Sequence, residues 1–268
     1  MKLSSLLPPP IRQFVRDRMT VFVYTYGFRP SRSIEEQIIT FSFGGRALTV
    51  KANYRTALYD MIGEVVDYDC YQLKKLEWEP DRDRFIVDIG ANVGVTALVL
   101  AQIPRAHVTC YEPDPENCAL LRDNIERNGL RNVSVRQAAV AGSNGKLQFQ
   151  LHAESTGGSL AGNGATSGAQ TLTVDAVTLD RVLEESPNGE IDLLKCDCEG
   201  GEYELLERFT PELAQRIHNL TIEVHDLDQR RNIGWISQKL SGLGYQVSCI
   251  PDLWERSALH LLLARRNR

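Results

Sequence analysis

From residue 84 onward, short apolar runs alternate with segments of helical spacing. The predicted strands are RFIVDIG (84–90), HVTCYEP (107–113), NVSVRQAAV (132–140), IDLLKCD (191–197), LTIEV (220–224), YQVSCI (245–250) and ALHLLLA (258–264). The predicted helices are 93–102, 115–128, 201–209 and 229–242. Strands separated by helical crossovers indicate a parallel sheet with helices on both faces. The last two strands are separated by residues 251–257 alone, which is too short for a parallel crossover, so we expect them to be antiparallel.

The first 80 residues follow a different pattern. Residues 38–50, IITFSFGGRALTV, predict two short strands joined at the central glycine pair. A helix is predicted over residues 11–26, after a run of three prolines, and residues 56–78 favour helix. We therefore divide the chain into an N-terminal helical arm and small α/β extension, residues 1–80, and an α/β domain, residues 81–268.

Composition narrows the class of protein. The chain has 268 residues, of which 43% are hydrophobic, and its net charge is −5, which argues against general nucleic-acid binding. Residues 1–32 are nevertheless basic, and the simplest interpretation is a solvated helix face. The alternatives are contact with an anionic substrate, with a lipid surface or with an acidic face of a partner subunit, as in a homodimer. No apolar run reaches the length of a membrane span. The six cysteines lack metal-site spacing, so we expect a cytoplasmic, reducing environment.

The segment VDIGANVG (87–94) follows the first strong strand and enters a helix. Its glycines allow a ligand close to the backbone, and the helix start offers unpaired N–H groups. Glu112 ends the next strand, where a carboxylate can accept both hydroxyls of a ribose. The three-glycine pattern of a dinucleotide site is absent, and Asp88 would repel a pyrophosphate. An acid there suits the ammonium and sulfonium of S-adenosylmethionine, so we favour this cofactor over a nicotinamide dinucleotide.

Six segments in this order resemble the FkbM-type S-adenosylmethionine-dependent methyltransferases. They are VDIGANVGVTALVLA, CYEPDPENCALLRDNI, AAVAGSNGKLQF, TLDRVL (178–183), LLKCDCEGGEYELL and LTIEVHD, within residues 84–226. The resemblance implies a class I methyltransferase fold, which is Rossmann-like, with a seven-stranded, mostly parallel sheet whose last strand is antiparallel. It also implies O-methylation of a small-molecule acceptor, at a hydroxyl of a sugar or secondary metabolite. An N-methyltransferase of similar fold and an NAD-dependent Rossmann oxidoreductase are the alternatives.

The resemblance assigns roles to residues by position. Asp88, Gly90, Asn92 and Gly94 are expected to hold the amino-acid end of the cofactor, Glu112 its ribose, and Pro113, Asp114, Gln137 and Ala138 its adenine. Asp197 is expected to lie over the transferred methyl group, and Ser159, in a Ser/Gly-rich loop, to approach the cofactor or the acceptor. The acceptor pocket is expected to come from residues 1–80 and 150–175, with Tyr68, Tyr71 and Trp78 as core residues or as its lining.

Asp197, Glu199, Glu223 and His225 form the predicted catalytic group. In one interpretation Asp197 or His225 is the general base. In the other, Asp197, Glu223 and His225 bind a divalent cation that orients two acceptor hydroxyls. No recognisable metal motif supports the acids, so we expect a metal-free site. Cys196 and Cys198 stand where the family has aliphatic residues, and they alternate with Asp197; we expect both side chains to point away from it, into the packing.

Overall fold

The computed structural model describes residues 36–53, 56–76, 78, 81–151, 158–160, 170–251 and 259–266. Its strands are β1 (Glu36–Phe43), β2 (Arg46–Asn53), β3 (Arg84–Ile89), β4 (Ala106–Tyr111), β5 (Val133–Arg136), β6 (Ala139–Val140), β7 (Gly145–Leu151), β8 (Gly158–Leu160), β9 (Gln170–Val177), β10 (Ile191–Cys196), β11 (Ile217–His225), β12 (Gln246–Pro251) and β13 (Leu259–Arg265). Its α-helices are α1 (Leu58–Ile62), α2 (Val95–Leu100), α3 (Pro115–Arg127), α4 (Leu179–Glu184), α5 (Glu202–Glu207), α6 (Pro211–Arg216) and α7 (Ile233–Gly242).

Seven strands form the central sheet, in the order β12-β13-β11-β10-β3-β4-β5. The pairs from β11 across to β5 are parallel, whereas β13 is antiparallel to both β11 and β12. The predicted antiparallel end of the sheet is therefore confirmed. The chain order reverses between β3 and β10, and in open α/β sheets the crevice at such a switch point is where ligands bind.

The central strands are buried on both faces because helices cover the two sides of the sheet. Every residue of β3 and β10 is buried. Successive side chains of β3 alternate between the two cores: Ile86 belongs to the same apolar cluster as Leu98 of α2, and Val87 to the opposite cluster with Leu206 of α5. Their nearly continuous apolar sequences are what a doubly covered parallel strand requires.

The predicted hairpin is confirmed. β1 and β2 pair antiparallel with Phe43 opposite Arg46, and both glycines of the turn have positive φ, 58° and 79°. Two consecutive positive φ angles are the geometry of a type I′ hairpin turn. The amide side chains of Asn124 in α3 and of Asn128, the residue after α3, exchange hydrogen bonds of 2.7–2.8 Å with the backbone of β2. These bonds fasten the hairpin to the α/β domain.

Two of the predicted elements are wrong in extent. The strand predicted over 132–140 is two strands, because the chain leaves the central sheet after β5 and β6 pairs with β9 in a separate sheet, β6-β9-β7-β8. Residues 56–78 hold α1, a π-helical segment (Gly63–Asp67) and a short 3₁₀ turn (Leu73–Lys75) in place of one helix.

The helix predicted over residues 11–26 lies outside the described residues. Among the helices that the structure describes, none combines the length and the apolar character needed to span a membrane.

Candidate active site

The predicted site residues meet at one edge of the central sheet, at the carboxyl ends of β3, β4, β10 and β11. Gly90 follows β3, Glu112 follows β4, Asp197 follows β10, and His225 ends β11. Parallel strands bring these ends together, although they are far apart in sequence. Two cavities open here, and both border Asp197.

The first cavity, which we call the cofactor cleft, has a volume of about 620 Å³, which includes solvent-filled space at its open mouth. It is lined by Ile89, Gly90, Asn92, Tyr111, Glu112, Pro113, Ala138, Ala139, Val140, Phe149, Asp197, Cys198, Glu199 and Gly201. Gly90 is essential to its shape because the φ of this residue is +72° and a Cβ would lie 1.7 Å from the carbonyl oxygen of Asp197. A glycine is therefore required where β3 and β10 approach each other.

Glu112 is fixed by backbone donors at the cofactor cleft. Its Oε2 accepts from the N–H of Asn92 at 2.7 Å, and its Oε1 accepts from the N–H of Asp114 at 2.9 Å. Burial raises the pKa of Glu112 to about 7, although both backbone bonds act in the opposite direction. Its position at the end of the second parallel strand is the one predicted for a ribose-binding carboxylate.

The remaining predicted cofactor residues differ in placement. Pro113 and Ala138 line the cofactor cleft. Gln137 is exposed and is not among the lining residues, so its predicted place beside the adenine is not supported. Gly94, with φ +97°, begins α2, and a Cβ there would lie 2.5 Å from Leu121, so the glycine serves close packing of α2 and α3. Ser159 lies in β8 opposite Gln150, and its side chain is outside the described part of the chain.

Asp88 is fully buried, and its described partner is a lysine that the sequence analysis missed. Lys195 of β10 lies beside Asp88 in register, and its Nζ is 3.1 Å from the Asp88 carboxylate. The same ammonium donates to the carbonyl oxygen of Gly90 at 2.8 Å and lies 3.7 Å from Asp197. Asp88 lines neither cavity, whereas its partner Lys195 lines the acceptor cavity. The predicted direct contact of Asp88 with the cofactor is therefore not supported. A single lysine within an otherwise apolar predicted strand is the sequence feature that could have indicated a buried ion pair.

The second cavity, which we call the acceptor cavity, also borders Asp197, and its volume of about 1030 Å³ includes solvent-filled space at its open mouth. It is lined by Ala57, Asp60, Met61, Glu64, Val65, Tyr71, Gly90, Ala91, Asn92, Thr96, Lys195, Asp197, Glu199 and Glu223. The hydroxyl of Tyr71 donates to Asp197 Oδ2 at 3.1 Å, and the backbone carbonyl of Tyr71 accepts from Thr221. Tyr71 thus joins the N-terminal extension to the predicted catalytic group. Tyr68 and Trp78 are not among the lining residues, whereas Trp78 packs against the apolar core.

His225 lies in a cluster of carboxylates. Its Nδ1 is 2.6 Å from Oε1 of Glu202, and its Nε2 is 3.5 Å from Glu199 and 3.9 Å from Glu223. Burial alone would lower the pKa of His225, but the hydrogen bond and charge of Glu202, with the charges of Asp197 and Glu199, raise it to about 10. Burial and the charge of Asp197 raise the pKa of Glu223.

The two cysteines flank Asp197 in different surroundings. Cys196 is buried in the apolar core, as predicted. Cys198 is partly buried and packs against the same core, as predicted, but it also lines the cofactor cleft. Because the chain has left β10 at this point, strand alternation no longer sets the direction of the side chain. The two sulfurs are 3.3 Å apart, and burial and the neighbouring thiol raise the pKa of Cys198.

The strand order, the glycine turn after β3 and the acid after β4 define a class I methyltransferase fold. The sequence profile of the Methyltransferase FkbM domain matches residues 88–247, which is more than half of the chain. The chain belongs to the FkbM methyltransferase family, and the family uses S-adenosylmethionine. Family membership removes the nicotinamide-dependent oxidoreductase as an alternative.

Several known proteins are similar to this chain. The 31-O-demethyl-FK506 methyltransferase FkbM of Streptomyces tacrolimicus is 27% identical over 234 residues, covering 76% of this chain and 88% of the relative. The hexuronic acid methyltransferase AglP of Haloferax volcanii is 26% identical over 149 residues, covering 55% and 58%. The crystal structure of methyltransferase FkbM from Methylobacillus flagellatus superposes with a TM-score of 0.48 at 16% identity, covering 72% of this chain and 46% of that one.

Proposed function

We propose that this protein transfers the methyl group of S-adenosylmethionine to a hydroxyl of a sugar or a secondary metabolite. The observation that carries the proposal is the pair of cavities that meet at Asp197 and Glu199, since both residues line both cavities. A methyl donor in one cavity and a hydroxyl in the other would face each other across these two carboxylates. The names of the Streptomyces and Haloferax relatives, a methyltransferase acting at an oxygen and one acting on a hexuronic acid, support this class of acceptor.

The proposed reaction is an in-line displacement. The acceptor oxygen attacks the methyl carbon, the carbon–sulfur bond breaks, and its electron pair stays on sulfur to give S-adenosylhomocysteine. The hydroxyl proton passes to a carboxylate at the junction, Asp197 or Glu199. His225 is not among the residues that line either cavity, so we do not assign the base to it. Positioning of the two reactants and one proton transfer account for the chemistry that the protein must supply.

The chain's own residues hold each reactant. Glu112 and the backbone around Gly90 and Asn92 are proposed to bind the ribose and amino-acid portions of the cofactor. Tyr71 and Lys195 fix the Asp197 carboxylate from the acceptor side. Within the described part of the N-terminal extension, six residues between 57 and 71 line the acceptor cavity.

The proposal is tested by ligand-induced stabilisation followed by a transfer assay. S-adenosylhomocysteine should raise the melting temperature of the purified protein by mass action, and NAD should not. Transfer of a labelled methyl group is then measured on sugars, glycosides and matched amino sugars whose hydroxyls are blocked. Label on the blocked amino sugars alone would favour N-methylation, and stabilisation by NAD alone would overturn the proposal.

A further inference from the structure

Asp197, Glu223 and His225 place mixed oxygen and nitrogen donors together at the edge of the acceptor cavity. Asp197 follows β10, and the parallel register of β10 and β11, with Cys196 beside Ile222, brings it next to Glu223. One donor atom from each of the three side chains lies within 4.8 Å of the others. Each of these side chains is partly exposed, so an ion and an acceptor can reach them.

We propose that these three side chains bind one divalent cation of the Mg²⁺ or Mn²⁺ kind, and that this cation holds two neighbouring oxygen atoms of the acceptor. The inference rests on the proposed methyl transfer, because it specifies the groups by which the acceptor is recognised. It also adds a property that methyl transfer alone does not require, namely metal binding by the free protein.

The geometry leaves room for such an ion. Three atoms no more than 4.8 Å apart place a central ion at most about 2.8 Å from each, and Ca²⁺–oxygen and Mg²⁺–oxygen bonds are about 2.4 and 2.1 Å. Each side chain would therefore need to move by less than about 1 Å. The two carboxylates suit Mn²⁺ and Mg²⁺, whereas the imidazole is a ligand for transition-metal ions and so favours Mn²⁺ over Mg²⁺. Three protein ligands leave three of six octahedral positions for other oxygens.

A second, independent feature supports the site. Glu202 is fully buried, and its Oε1 lies 2.6 Å from Nδ1 of His225. Its other oxygen, Oε2, is buried and has no hydrogen-bond partner in the described part of the chain. A buried carboxylate on one imidazole nitrogen is the usual device that orients a metal-binding histidine and fixes its tautomer. The surrounding carboxylates raise the pKa of His225, so a bound cation would displace the proton from Nε2, while the proton on Nδ1 stays with Glu202.

Local charge also favours a cation. Glu199 approaches Nε2 of His225 and Glu202 approaches its Nδ1, so two further carboxylates lie beside the three proposed ligands. Lys195 approaches Asp197, but it is also paired with Asp88, which is fully buried. A dication would offset the excess of negative charge, and bound ions are commonly the dominant charge in such sites.

The proposal has a consequence for the acceptor. Two adjacent open positions on the ion would suit two neighbouring hydroxyls, as on a sugar ring. A hydroxyl on a cation is more acidic, and Glu199, which borders both cavities and is not one of the three ligands, is then placed to take its proton. We therefore expect vicinal diols to be better acceptors than their monodeoxy counterparts.

The experiment is a Mn²⁺ titration of the metal-stripped full-length protein, followed by the electron paramagnetic resonance signal of the free ion. One ion should bind per chain. Glu223→Gln and His225→Gln should weaken binding at least tenfold, and Glu202→Gln by about tenfold to a hundredfold. Glu190→Gln and His218→Gln are matched controls, because this pair makes a 3.1 Å His–Glu contact at the opposite end of β11. Both controls should bind Mn²⁺ as the unaltered protein does.

Affinity for S-adenosylhomocysteine, measured by calorimetry on each variant, reports whether the fold and the cofactor cleft are intact. Mn²⁺ binding that is absent from the unaltered protein, or that falls equally in the controls, overturns the cation site. If the stripped protein still binds S-adenosylhomocysteine and methylates with excess chelator, the cation inference fails while the proposed function stands. If S-adenosylhomocysteine does not bind at all, the proposed function fails, whatever Mn²⁺ does.

Discussion

The buried pair of Lys195 and Asp88 gives the sharpest prediction about stability. Their side chains are 2% and 0% exposed, and the lysine also donates to the carbonyl oxygen of Gly90. Lys195→Met keeps most of the side-chain volume but leaves a buried carboxylate without its cation. Removing one partner of a buried pair costs about 3–5 kcal/mol, a large part of the 5–15 kcal/mol that typically separates folded from unfolded proteins.

The expected loss is measurable in two ways. Urea denaturation should show a free energy of unfolding lower by about 3–5 kcal/mol, and the melting temperature should fall by about 6–20 °C. Burial raises the pKa of Asp88, whereas Lys195 lowers it, so removing the lysine should raise that pKa further above its value in the unfolded chain. A carboxyl whose pKa is raised on folding favours the folded state at low pH and loses that contribution as pH rises. The variant should therefore be destabilised less at pH 5 than at pH 8.

Two comparisons make the test specific. Lys146 and Asp175 form a pair of 2.7 Å whose side chains are 63% and 62% exposed, so Lys146→Met should cost only about 0–1 kcal/mol. Adding Asp88→Asn to Lys195→Met removes the unpaired charge and should recover part of the lost stability. The reasoning is refuted if Lys195→Met costs no more than Lys146→Met, or if the double variant is less stable than Lys195→Met alone.

Three further predictions concern the two cavities. Burial raises the pKa of Glu112 to about 7, and the ionised carboxylate is the form that accepts the ribose hydroxyls. S-adenosylhomocysteine should therefore bind up to about tenfold more weakly for each pH unit below this value. Glu112→Gln should abolish this pH dependence, as measured by calorimetry. Gly90→Ala should abolish binding of S-adenosylhomocysteine, because the new Cβ would lie 1.7 Å from the Asp197 carbonyl oxygen. Tyr71→Phe should lower kcat by about tenfold to a hundredfold with cofactor affinity kept, since a hydrogen bond to a charged group is worth about 1.5–3 kcal/mol.

Each of these variants has a matched control. Glu116→Gln changes an exposed acid near the cofactor cleft, and it should leave the pH dependence of binding in place. Gly44→Ala also places alanine at positive φ, 58°, but nothing lies within 4 Å of its Cβ, so cofactor binding should survive. Tyr245→Phe removes a buried hydroxyl that bonds to backbone carbonyls away from both cavities, and kcat should not change. A control that behaves like its partner would contradict the corresponding assignment.

The sequence by itself determined the class of fold and the main positions of the site. Doubly buried strands are uniformly apolar and the crossovers are helical, so the parallel sheet, its antiparallel end and the residues after its strands follow from local patterns. Gly90 and Glu112 were predicted from such strand-end patterns, and the place of Asp197 was implied by the resemblance to the FkbM family.

Only the tertiary structure decided which groups meet. The pairing of Lys195 with Asp88 depends on the register between β10 and β3, and the bond from Tyr71 to Asp197 joins residues 126 positions apart. The departure of β6 into a second sheet, and the contact of Glu202 with His225, likewise depend on elements that are distant in sequence. The spacing of residues along the sequence does not predict such contacts, because they depend on the register between strands and on how the helices pack. The sequence therefore predicted the carboxylates at the strand ends, and the packing around them decided that Lys195 lies near both Asp88 and Asp197 and that Glu202 contacts His225.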